Sequence, residues 1–172
     1  MQININKTIE ILEKSINDPT KGLPEEIFLF ICRNIPVVGV DLLIKDENNR
    51  TLLSWRNDKF NGVGWHIPGG ILRLKETLID RVKKVAEVEI HTKKIKIEPN
   101  SYGTFQYIND QKERCHVVSH LFKCHLPSTF IPENKNLSIE DAGFLMWHDK
   151  CPYNLLGCQE FYRKYINGEL EC

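Results

Sequence analysis

The run Gly62-Val63-Gly64-Trp65-His66-Ile67-Pro68-Gly69-Gly70 leads into a charged segment that ends at Glu89. Adjacent glycines after a proline let the backbone turn sharply and come close to a ligand or an ion. Leu78, Val82 and Val85 are spaced by four and then three, so on a helix they form one buried stripe, and four residues further along it lies Glu89. A carboxylate at the end of an apolar stripe must reach solvent or find a positive partner, because an unpaired buried charge is very costly. A hard cation held by oxygen ligands meets that need, with a nearby backbone carbonyl as second ligand. A frayed, solvated helix end meets it equally. Asp41 interrupts an apolar segment, where it either accepts hydrogen bonds from a sugar or base or is a buried carboxylate satisfied by its neighbours. His116 and His120 lie four apart on an expected strand and share a face with Val118 and Phe122. That face either aims an imidazole at a substrate or carries ordinary hydrogen-bonded histidines. Arg114, beside this strand, is a candidate for phosphate. Cys124 and His125 alternate to opposite faces, which excludes a zinc site built from them and His120.

The elements that must position these residues follow from periodicity. Lys7 to Asn17 reads as a helix with Ile9, Leu12 and Ile16 on one face, broken by Asp18-Pro19-Thr20-Lys21-Gly22. A second helix starts at Pro24, followed by Glu25 and Glu26 near the positive helix end, and stops before Pro36. Strands are expected at Val37 to Ile44, Thr51 to Trp55, Lys93 to Ile97, Tyr102 to Ile108, His116 to His125 and Phe144 to Trp147. The charged helix spans roughly Lys75 to Glu89, a closing helix Tyr153 to Tyr165, and the glycine-rich run is expected to be a loop. The order of elements argues for one α/β (α+β) domain over residues 1–172.

Composition narrows the function classes. The chain has 23 basic and 23 acidic residues, so no global field draws it toward nucleic acid or an anionic membrane. No apolar run approaches the ~18 residues of a membrane span, and Gln2, Asn4 and Asn6 alternate with Ile3 and Ile5, unlike a signal peptide. Six scattered cysteines (Cys32, Cys115, Cys124, Cys151, Cys158, Cys172) without a Cys-x-x-Cys pair read as reduced thiols of a cytoplasmic protein.

Gly70, Glu76 six residues on, and then Lys84-Val85-Ala86-Glu87-Val88-Glu89 resemble the Nudix box, and Trp65 to Gly70 resembles its approach. Lys84 stands where arginine is usual, Val85 and Val88 replace glutamates, and His91 stands where glycine is expected. This pattern of loss is most similar to the GDP-mannose mannosyl hydrolase branch. That resemblance implies a Nudix-type α/β/α sandwich with a mixed central sheet and two extra N-terminal helices (1–35, before a core of 36–172). It implies Mg²⁺ (or Mn²⁺) held by the Gly69 carbonyl and Glu89. It also implies Asp41 and Arg56 as substrate-binding residues, the likeness running from about Pro36 to Gln106. Glu76 and Lys84 stand two helical turns apart, so Glu76 is expected to brace the motif. A second likeness, to uncharacterised bacterial Nudix proteins, rests on Leu23-Pro24-Glu25-Glu26 and on Trp147 to Pro152. Their Arg-x-His pattern supports Arg114.

The departures change the mechanism the resemblance implies. Ile71 stands where the branch has an arginine, which Arg73 can replace, and Tyr107 stands where it has a histidine. The branch's catalytic histidine has no counterpart in Ile139 to Trp147, which leaves Glu140 or Asp141 as base, Asp141 also as metal ligand, and His116 as a further catalytic candidate. Three functions follow: hydrolysis of a nucleoside diphosphate sugar at its glycosidic bond, a Nudix pyrophosphatase, or a non-catalytic nucleotide-sugar binding module. The apolar stretch Ile27 to Ile31 needs a covering surface, and a homodimer is the expected assembly.

Overall fold

Val37–Lys45 is apolar on both faces apart from Asp41 and the terminal Lys45, the pattern of a strand covered from both sides. It forms β1, at the centre of the sheet. In the computed structural model, which describes residues 4–170, β1 is preceded by α1 (Ile5–Lys14) and α2 (Glu25–Cys32). It is followed by β2 (Thr51–Asp58), β3 (Gly62–His66), β4 (Gly69–Ile71), α3 (Leu78–Glu89), β5 (Lys96–Ile97), β6 (Gly103–Ile108), β7 (His116–His125) and β8 (Leu145–His148). A 3-10 helix (Gly157–Tyr162) and α4 (Arg163–Ile166) close the described chain. All eight strands join one mixed sheet with β3-β2-β1-β7-β5 as its main path. β1 runs parallel to β7 and antiparallel to β2 and β4.

The sheet separates two cores, as the α/β/α sandwich requires. On one side Val40, Leu42 and Ile44 pack with Val82, Val85 and Ala86 of α3, together with Phe122 and Cys124. On the other, Leu43, Leu53, Trp55, Trp65 and Leu121 pack against Tyr162 and Ile166 of the closing helices. Residues of odd number on β1 therefore face the closing helices, and those of even number face α3.

α3 is shorter than its periodicity suggests, because Lys75 takes a φ of +61° and Thr77 caps the helix by accepting from the Asp80 N–H. It ends at Ile90, after which His91 adopts φ +58° where the resembled pattern has glycine. That left-handed position suits glycine and strains a residue with a Cβ. His91→Gly is expected to raise unfolding free energy by about 0.5–1 kcal/mol in urea denaturation.

Further expectations differ from the structure, among them the strand expected from Lys93, which is confined to Lys96–Ile97. The glycine-rich run holds two strands rather than a loop: β3 pairs with β2, and β4 pairs with β1 through Asp41↔Gly69. Its ladders are completed by distant partners, including residues 154–156, where Leu155 bridges Trp65. Gly64 permits this approach, since a Cβ there would lie 2.5 Å from the Asn154 carbonyl oxygen. That same pairing extends the chain at 154–156, so the closing helix begins only at Gly157 and opens with 3-10 geometry. The first helix begins earlier than expected, because Asn4 caps it, and stops at Lys14, with no buried residue. Cys172 and residues 1–3 lie outside the described residues; the other five cysteines are free thiols. Among the described residues no helix is long and apolar enough to cross a membrane.

Candidate active site

β1 places Asp41 on the face opposite α3, and the parallel register with β7 sets Ser119 beside it. Ser119 Oγ donates to Asp41 Oδ2 at 2.6 Å, and the buried Tyr162 hydroxyl donates to the same oxygen at 2.8 Å. Burial nevertheless raises the Asp41 pKa, against these two donors and the charge of Arg56. The other carboxylate oxygen faces Gly69, where a Cβ would overlap Asp41 Oδ1 and lie 2.8 Å from the Val40 carbonyl.

Glu89 reaches the same place from the end of α3. Its pKa is raised to about 7, by burial first and also by the charge of Asp41, while Arg56 and a hydrogen bond from the Gly69 N–H act the other way. Gly69 thus lies against both carboxylates, and only glycine leaves room for Asp41. Gly70 packs tightly on α3, where a Cβ would meet Val85 at 2.9 Å. Glu76 is engaged elsewhere: it accepts from Arg81 at 2.7 Å and from the Arg73 N–H at 2.9 Å, which ties the segment before α3 to the helix. Lys84 is exposed and pairs with Glu87.

Gly69 and Asp41 line a cavity of about 540 Å³, a volume that suits a small organic ligand. Arg56, Arg73, Tyr107 and Arg114 line it as well. Arg56 pairs with Asp58 at 3.3 Å. The Arg73 guanidinium lies over Gly22, and its pKa is lowered by burial and by Arg81. Tyr107 accepts from Asn109 through its hydroxyl. Three guanidiniums around one cavity favour an anionic ligand with several oxygens, such as a diphosphate.

The remaining candidates lie outside this cavity. Glu140 and Asp141 sit in an exposed turn before β8, where Asp141 Oδ2 accepts from the Ser138 N–H at 2.6 Å. His116 and His120 share the β7 face of Phe122 and Cys124, turned away from Ser119; they bond Gln106 and Thr104 respectively. Among the described residues no group of three or more His, Cys, Asp or Glu side chains is arranged to hold a metal ion.

The structure adds His66, Ser119, Gln159 and Tyr162 to the site. Ser119, Gln159 and Tyr162 carry no local signal, since their partners are distant in sequence; His66 lies inside the glycine-rich run. Gln159 holds the backbone before the two glycines, accepting from the Ile67 N–H at 2.7 Å and donating to its carbonyl at 3.3 Å. His66 is buried, and burial followed by the charge of Arg56 lowers its pKa to about 3. Nδ1 therefore carries the proton and donates to the Ile67 carbonyl at 2.8 Å, which leaves Nε2 as the acceptor.

This has a consequence for stability. Below the ordinary histidine pKa of 6.5 the unfolded chain binds a proton that the folded chain refuses, so His66 costs stability as pH falls from about 6.5 toward 3. The raised carboxylates Asp41 and Glu89 act in the opposite sense. Comparison with His66→Gln isolates the histidine. The advantage of the native chain over the variant is expected to shrink by about 1.4 kcal/mol per pH unit between pH 6 and 5 in urea denaturation.

No family model matches the chain. A curated relative, the low-salt glycan biosynthesis protein Agl8 of Haloferax volcanii, is 34% identical over 95 residues, 55% of this chain and 59% of that protein. The chain therefore spans less than two thirds of the relative's length. Among solved structures it is similar to a MutT protein from Methanosarcina mazei, with TM-score 0.60 and 20% identity over 79% of this chain and 96% of that one. A MutT Nudix hydrolase from Burkholderia pseudomallei gives TM-score 0.60 and 20% identity over 80% and 100%. A bifunctional NMN adenylyltransferase/ADP ribose pyrophosphatase from Francisella tularensis gives TM-score 0.56 and 17% identity over 95% and 46%. The mixed sheet between α3 and the closing helices, with the glycine pair leading into α3, is the fold of the Nudix hydrolases.

Proposed function

We propose that the protein is a metal-dependent hydrolase of a nucleoside diphosphate sugar, cleaving the glycosidic bond to give nucleoside diphosphate and free sugar. The observation that carries this reading is a single cavity that joins Arg56, Arg73 and Arg114 to Asp41 and to the Gly69 backbone beside Glu89. A divalent cation fits there: Asp41 and Glu89 are close enough for one charge to disfavour the other, and both are held above their ordinary pKa by burial. Glu89 and the Gly69 carbonyl would hold Mg²⁺ or Mn²⁺, which when bound neutralises charge on diphosphate oxygens.

The protein's own groups do the rest. Arg56 and Arg73 grip the diphosphate, and Asp41, steadied by Ser119 and Tyr162, accepts a hydrogen bond from a sugar hydroxyl or a base N–H through its other oxygen. His66 Nε2 offers a neutral acceptor in the same wall. Glu140 and Asp141 reach this chemistry only if the loop that carries them moves, whereas His116 sits on β7 and faces the other side of the sheet. The same reading makes the protein a cytoplasmic homodimer, in keeping with the five free thiols among the described residues and the uncovered Ile5, Ile9 and Leu12 of α1.

Similarity to a protein named as an ADP ribose pyrophosphatase supports a second reading, cleavage between the phosphates. The thinned box, with Val85 and Val88 where glutamates are usual, supports a third, a nucleotide-sugar binding module. Incubation with Mg²⁺ and a panel of nucleotide sugars, followed by product separation, decides among them. Nucleoside diphosphate plus free sugar is the expected result. Nucleoside monophosphate plus sugar phosphate establishes the second reading, and saturable binding without turnover the third.

A further inference from the structure

The end of the cavity away from Asp41 and Glu89 is built by α2 and two hairpin loops, and Arg114 lies there with no carboxylate partner among the described residues. Leu23 and Phe28 line the cavity, so the N-terminal helices supply part of its wall. α2 is fastened there by Arg33 to Glu113 at 3.0 Å and by the Cys115 thiol to the Cys32 carbonyl at 3.8 Å. Glu25, at the start of α2, pairs with Lys59 in the β2–β3 turn at 3.8 Å.

Arg114 stands where these three segments meet. Its guanidinium carbon lies 4.4 Å from the Phe60 ring centre and 5.3 Å from that of Phe28. Such ring contacts hold the cation and leave its N–H donors unused. Among the described residues no carboxylate pairs with Arg114, and its buried Nε has no hydrogen-bond partner. A buried donor without a partner is costly unless a ligand completes it. Arg114 adopts φ +53°, so the loop holds it in a conformation that side chains seldom take.

Arg114 enters the cavity from the end away from the carboxylates. Arg114 precedes Val117 by three residues, and Val117 is level with Val37 on β1, four residues from Asp41. Four strand residues span about 13 Å, much more than one diphosphate. A diphosphate held at Asp41, Gly69 and Arg56 leaves Arg114 facing the far moiety of the substrate.

Resting on the hydrolase reading above, we propose that Arg114, with Phe28 and Phe60, forms a second anion subsite, so that the preferred substrate is a nucleoside diphosphate derivative carrying a further negative group, a carboxylate or a phosphate ester, remote from the diphosphate. α2 is then part of the specificity apparatus.

The test is calorimetric binding without added metal, with two matched pairs: UDP-glucuronate against UDP-glucose, and ADP-ribose 2′-phosphate against ADP-ribose. The acidic member of one pair is expected to bind about 10- to 100-fold more tightly, as a charge-assisted hydrogen bond provides. The pair that responds identifies the anion as carboxylate or phosphate. Arg114→Gln is expected to remove the preference, and Arg114→Lys, which keeps the charge without the planar fork, to restore part of it. A preference that survives Arg114→Gln overturns the assignment. Equal affinities within both pairs overturn the subsite and leave the hydrolase reading intact. Failure of all four compounds to bind, both without metal and with Mg²⁺ added, overturns both.

Discussion

Glu89→Gln is expected to lower Mg²⁺-dependent turnover by about three orders of magnitude while leaving the fold intact. The loss follows from removing the one carboxylate that α3 delivers to Gly69, since a Lewis acid at the diphosphate contributes several kcal/mol to the transition state. The amide keeps an oxygen able to accept the Gly69 N–H, so the local hydrogen bond survives. It also removes a charge that burial already disfavours, so the melting temperature is expected to stay level or rise. Activity measured across a Mg²⁺ titration, beside a thermal melt, separates the two effects. Native turnover in the variant at saturating Mg²⁺ would falsify the role of Glu89 as the metal's carboxylate.

Gly69→Ala is expected to be severe for a different reason. Its Cβ would occupy the position of Asp41 Oδ1 and press on the Val40 carbonyl, and neither neighbour can retreat easily. Asp41 is held by Ser119 and Tyr162, and Val40 lies in the central strand. Overpacking of this kind costs about 1–3 kcal/mol, and moving Asp41 also breaks two hydrogen bonds to a carboxylate. A total of about 3 kcal/mol is expected in urea denaturation, with nucleotide binding lost at temperatures where the variant is still folded. Gly157→Ala is the control: no atom lies within 4 Å of its added Cβ and its φ is unexceptional, so a change within about 0.5 kcal/mol is expected. If both variants melt with the native protein, Gly69 is not wedged between the carboxylates.

What the sequence determined by itself was local and periodic. The span of β7, the apolar stripe of α3 with Glu89 at its end, and β1 with its lone Asp41 all follow from alternation or helical spacing within a dozen residues. The spacing from Gly70 through Glu76 to Glu89 carried the fold resemblance, because glycine packing and helix phase depend on few residues. Partners were another matter. Alternation puts His116 and His120 on one face of β7, but only the parallel register with β1 decides that Ser119 faces the cavity and the histidines do not. The glycine-rich run became β3 and β4 because its ladders are filled by β2, β1 and the chain at 154–156, from separate parts of the sequence. Asp41, Ser119 and Tyr162 are joined across 78 and 121 residues, and α2 meets Arg114 across a similar distance. Hydrogen bonds and ring contacts at such separations leave no periodic trace, since nothing in a short window records what folding brings against it.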